Sequence, residues 1–90
     1  MKRYIPYFII VNSIPFVCQN GNPYHIEVVM TRPNQIAINA AYIESVTQLV
    51  ANEFSLALID LKSGRRVVTK ESFEQIEEML AGFDEDNIWE

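Results

Sequence analysis

Turn-forming residues recur at short intervals along this chain and commit most of it to short strands. Asn12-Ser13-Ile14-Pro15, Gln19-Asn20-Gly21-Asn22-Pro23, Arg32-Pro33-Asn34 and Lys62-Ser63-Gly64 each break the pattern, because Pro, Gly and Asn supply the restricted or positive φ values that turns need. Tyr7-Phe8-Ile9-Ile10-Val11 is aromatic and β-branched, which predicts a buried strand. Phe16-Val17-Cys18 reads as a short second strand. From Tyr24 to Thr31 the residues alternate, with Ile26, Val28 and Met30 on one face and His25 and Glu27 on the other. Gln35 to Asn39 alternates again, with Ile36 and Ile38 inward. Asn39-Ala40-Ala41 reads as a corner before a strand from Tyr42 to Thr47. Phe54 to Leu61 and Arg65 to Thr69 form a hairpin about Gly64.

Near residue 72 the apolar period changes from 2 to 3.6. Phe73, Ile76, Leu80 and Phe83 fall on one helical face, flanked by Met79. Ser72 followed by Gln75 is a capping box, Glu71 and Glu74 suit the positive end of the helix dipole, and Gly82 suits a stop. The spacing predicts a helix over about 72–81, laid on a strongly bent antiparallel sheet. The fold class read from the sequence is therefore mainly β: a small bent antiparallel sheet or SH3-like barrel with one C-terminal amphipathic helix. Phe73, Ile76 and Leu80 are expected to be buried with Ile36, Ile38, Leu58 and Val67.

Ninety residues make one domain, over about 1–83, and 49% hydrophobic residues suffice for one core. The charge is 7 basic against 12 acidic residues, −5 in all. Asp84, Glu85, Asp86 and Glu90 lie in the last seven positions, so the body is near balance and 84–90 is an acidic aromatic tail. A nucleic-acid binder normally shows a basic excess that neutralises phosphate, and this chain lacks one. One cysteine, Cys18, cannot form an internal disulfide and reads as a buried thiol in a reducing, cytoplasmic setting. Met1-Lys2-Arg3 before an apolar run resembles a secretory leader, but Pro6, Asn12, Ser13 and Pro15 interrupt that run, and Phe16 and Val17 are too large for a processing site. No stretch approaches the length of a membrane span.

No catalytic set emerges. The one histidine, His25, shares a strand face with Glu27, and a solvated strand face accounts for both. Glu71, Glu74, Glu77 and Glu78 lie on a helix that buries its other side. Gly21, Gly64 and Gly82 are isolated, so no phosphate-cradling loop exists. Too few Cys and His residues are present for a structural zinc site. No catalytic residue, metal or cofactor is assigned. The candidate binding residues are Arg65 and Arg66, which with Lys62 form the one basic cluster, and Phe83, Ile88 and Trp89, whose apolar side chains sit among the tail carboxylates. In a strand, Arg65 and Arg66 point to opposite faces. The apolar Tyr7–Val11 strand near the chain start is expected at a sheet edge, where it would invite pairing into a homodimer.

Met30-Thr31-Arg32, Ile36-Ala37-Ile38-Asn39, Tyr42-Ile43-Glu44, Ser63-Gly64-Arg65 and Val67-Val68-Thr69-Lys70-Glu71-Ser72 come in an order and spacing that resembles the small flagellar motility proteins of the FlbD/SwrD type, over about residues 28–80. The resemblance implies a small non-enzymatic accessory protein in a bacterial or phage setting and carries over no catalytic residue. The function expected is binding to another protein. Two alternatives are a LytTR-like nucleic-acid-binding regulator working through Lys62, Arg65 and Arg66, and a phage-type inhibitor whose acidic tail blocks a basic surface.

Overall fold

A computed structural model describes residues 5–18, 26–29, 32–51 and 54–83. The strands are β1 (Phe8–Ile14), β2 (Phe16–Cys18), β3 (Ile26–Val28), β4 (Asn34–Asn39), β5 (Ile43–Ala51), β6 (Phe54–Leu61) and β7 (Arg66–Thr69), followed by helix α1 (Phe73–Leu80). Five strands form an antiparallel sheet in the order β4-β1-β7-β6-β5, and β2 and β3 form a separate ribbon. The His25 and Met30 expectations lie outside the described residues, and the strand expected over Tyr24–Thr31 is described as the shorter Ile26–Val28.

The two edge strands β4 and β5 are consecutive in the chain, joined by one 3-10 turn at Ala40–Tyr42. Asn39 caps that turn by accepting the Ala41 N–H at 3.0 Å. A single turn can connect opposite edges because the sheet curls until they approach. They do not pair, so of the two expected architectures the bent open sheet is the one formed. Tyr42 belongs to the turn, and β5 runs on past Thr47 to Ala51. The register shifts between Ile43 and Ser45, as at a β-bulge. The inward set changes there from odd to even numbers, which lets both Ile43 and Val46 meet the core.

All five strands of the sheet line one core. Ile9, Val11, Ile38, Ala57, Ile59 and Val67 are buried around Ile76 of α1, with Ile36, Ile43, Val46, Leu61 and Leu80 packed at the margin. The capping box forms as expected: Ser72 Oγ accepts the Gln75 N–H at 3.3 Å, and Gln75 Oε1 accepts the Ser72 N–H at 2.8 Å. Of the expected helix stripe, Ile76 is fully buried, whereas Phe73 and Leu80 are half-buried. Leu58 is corrected: it packs with Ile14, Val28, Leu56 and Val68, on the opposite face of the sheet. Alternation along β6 and β7 sends Leu56, Leu58 and Val68 to one side and Ala57, Ile59 and Val67 to the other.

That second face is covered by the β2–β3 ribbon. Pro15 has no N–H to continue the ladder, and the chain turns there. The ribbon resumes with Phe16 opposite Val28, held by the Val29 N–H donating to the Pro15 carbonyl at 2.9 Å. The β6–β7 hairpin closes through Gly64 at φ +91°, the left-handed conformation that a three-residue hairpin loop assigns to glycine.

β1 is corrected too. It is interior, not an edge, lying between β4 and β7. Its pairing with β7 is short, Ser13 with Thr69 and Ile14 with Val68. Beyond it the Lys70 N–H donates to the Asn12 carbonyl at 2.8 Å. The Asn12 N–H in turn donates to the Glu71 carboxylate at 2.6 Å, and Asn12 Nδ2 donates to the same oxygen at 3.2 Å.

Two stability outcomes follow from this packing. Ile76→Ala should cost about 2 to 5 kcal/mol in urea unfolding, as a large-to-small change at a closed site does. Glu71→Ala should cost about 1 to 3 kcal/mol, because the Asn12 N–H loses its acceptor while still half-buried.

Candidate functional site

Among the described residues, exposed large apolar side chains stand in several places: Val50 and Phe54 on β5 and β6, Val17 and Val29 at the ribbon, Ile5 ahead of β1, and a group of three beside β4. Tyr42 is 60% exposed, Phe8 54% and Ile10 50%. Ile10 lies directly opposite Ala37, and Phe8 opposite Asn39, so these residues share one outward face of the β1–β4 pair. A groove of about 320 Å³ runs beside them. Ile36, Ala37, Ile38 and Asn39 form one wall, Leu61, Arg65 and Val67 the other, and Phe8 and Tyr42 add the aromatic rim. The Lys62 N–H, donating to the Tyr42 carbonyl at 2.8 Å, ties the β6–β7 turn to the 3-10 turn and so sets the two walls against each other.

The groove borders the open side of β4. The Ala40 N–H donates to the Tyr7 carbonyl, whereas Asn12 turns its backbone groups away, to Lys70 and Glu71. Alternate residues of a strand direct their backbone to opposite sides. Odd-numbered residues of β1 therefore bond the even-numbered residues of β4, and Gln35 and Ala37 direct their N–H and C=O outward. The strand Asn34-Gln35-Ile36-Ala37-Ile38-Asn39 carries no charge. It thus lacks the lysines, prolines and inward charges that usually blunt a sheet edge. The opposite edge is guarded over its first half by the bulge at Ile43/Ser45 and by the end of α1, where Glu77, Leu80 and the C-cap Ala81 lie alongside Ile43–Val46.

The two arginines expected to bind are separated. Arg65 is exposed on the groove wall. Arg66 is half-buried, and its Nε lies 3.0 Å from Asp60 Oδ1 on the neighbouring strand. Phe83 packs its ring on Tyr7, centroids 5.9 Å apart, and Ile88 and Trp89 lie outside the described residues. Among the described residues no group of three or more His, Cys, Asp or Glu side chains could hold a metal ion, and no helix is long and apolar enough to cross a membrane. Phe8, Ile10 and Tyr42 were not singled out by the sequence. Their apolar character reads as core until the strand order shows that nothing described covers that face.

Comparison with family models, with curated proteins and with solved structures finds no match for the chain.

Tyr7 also anchors the helix end. Its hydroxyl donates to the Met79 carbonyl at 2.9 Å, one of the last-turn acceptors that a helix leaves unpaired. A Cβ on Gly82 would sit 2.8 Å from that hydroxyl. Gly82→Ala should therefore cost about 1 kcal/mol by displacing the bond, and much less in a Tyr7→Phe background. The difference between the two melts measures the coupling.

Proposed function

We propose that this protein is a non-enzymatic interaction module that binds another protein chain through the groove along β4. The observation that carries the reading is the clustering of exposed Phe8, Ile10 and Tyr42 about an uncharged strand edge that no described strand pairs. Aromatic side chains anchor protein interfaces because they bury a large area with few rotamers to lose. An open edge beside them offers backbone hydrogen bonds to an incoming extended segment. Arg65 on the far wall adds a cation suited to an acidic or carbonyl-rich partner. An accessory role in a bacterial or phage cytoplasm accords with the resemblance over residues 28–80.

Affinity capture with the wild-type chain, Tyr42→Ala and Phe8→Thr tests this. Both side chains are more than half exposed, so thermal stability should change by no more than about 0.5 kcal/mol. A protein retained by the wild type should bind each variant about ten-fold or more weakly, as loss of an interface anchor does. Equal retention by all three chains would place the binding surface elsewhere.

A further inference from the structure

The open edge of β4 is self-complementary. Gln35 and Ala37 direct their backbone groups outward, and the sequence Ile36-Ala37-Ile38 reads the same in both directions. Turning a second β4 about a two-fold axis through Ala37 places Ala37 opposite its own copy, Ile36 opposite Ile38, and Gln35 opposite Asn39. Ala37 then falls at a hydrogen-bonded position of the new antiparallel ladder, which is where its outward N–H and C=O require it. On the outer face, Ile10 stands beside Ala37 in each copy. A continuous apolar row thus runs Ile10–Ala37–Ala37–Ile10 across the axis. The pairing brings no like charges together, since neither copy's strand is charged. Ala37 is exposed and carries the smallest side chain that still covers the strand, so nothing at the axis holds the backbones apart.

We infer that two copies of this chain associate through β4, about a two-fold axis at Ala37, into a continuous antiparallel sheet. The inference rests on the reading of this face as a docking surface and names a second copy as its occupant. Two-fold dimers are the commonest oligomers because one patch serves both partners. The contact differs from one made by β1, which already has a strand on each side.

The purified 90-residue chain is the sample, so no other protein takes part. Sedimentation at micromolar concentration should show a dimer. Ala37→Lys places two ammonium groups against each other at the axis and should weaken the dimer about ten-fold or more. Circular dichroism should stay unchanged, because residue 37 is in solvent in the monomer. Cysteine placement tests the register in a Cys18→Ser parent that sediments like the wild type. Ala37→Cys should oxidise to a covalent dimer, since Cα atoms at a hydrogen-bonded antiparallel pair lie about 5.5 Å apart, within disulfide range. Gln35→Cys should not, because two copies of residue 35 are held about 14 Å apart in this register. A monomer at high micromolar concentration overturns the inference. So does a dimer that tolerates Ala37→Lys but dissociates on Val50→Lys, which would put the contact on β5, and so does equal oxidation at positions 35 and 37. These results are independent of the capture experiment, in which equal retention by the wild type, Tyr42→Ala and Phe8→Thr would remove the docking reading itself.

Discussion

The whole sheet depends on a short seam. Ser13–Thr69 and Ile14–Val68 are the two residue pairs that join the β1–β4 pair to the β5–β6–β7 meander. Two pairs are few for such a junction, and the chain reinforces it with hydrogen bonds beyond the ladder. Lys70 donates to Asn12, Asn12 donates to Glu71, and the buried Thr69 hydroxyl donates to the Glu71 carbonyl at 2.9 Å. Charge-assisted bonds of the Asn12–Glu71 kind are stronger than neutral ones. Residues 69–71 are also the link into α1, so the same few atoms fix where the helix begins and how Ile76 enters the core.

With the seam in place, the two faces of the sheet serve different ends. One is closed by α1 around Ile76. The other is closed by the β2–β3 ribbon over Leu56, Leu58 and Val68. Among the described residues, neither the ribbon nor the helix covers the outer side of β1 and β4, and that is where Phe8, Ile10 and Tyr42 emerge. The groove and its open edge are thus the remainder after the helix and the ribbon have found their packing partners.

The local features were legible in the sequence because local chemistry dictates them. Ser72 and Gln75 can satisfy each other only at a helix start, Gly64 only at a left-handed turn, and Ile76 lies on the one apolar stripe. Strand order and face assignment were not legible. Leu58 and Ile59 are both apolar, and alternation gives their opposition without saying which side meets the helix. Tyr7–Val11 is apolar throughout and reads as an edge or as a core strand until its neighbours are known. In fact Ile9 and Val11 are core while Phe8 and Ile10 are not. The candidate site was missed for the same reason: its residues share an exposed face only because β4 lies last in the sheet. Arg65 and Arg66 were expected to diverge as neighbours on one strand, but Arg65 falls in the turn before β7 and Arg66 opens the strand beside Asp60.

The seam also bears on how the chain assembles. The β5–β6 and β6–β7 hairpins can form from contacts close in sequence, but β1 pairs with β4 across the whole of β2 and β3, Asn12 and Glu71 lie 59 positions apart, and closing such long loops costs entropy before any contact offsets it. The β5–β6–β7 meander is therefore the early unit, the β1–β4 pair with its longer loop follows, and the union of the two with the helix is the late, committing step. Until then β1 exposes both its apolar faces and one unpaired side. A nascent chain carries that hazard until Thr69, Lys70 and Glu71 arrive to close it.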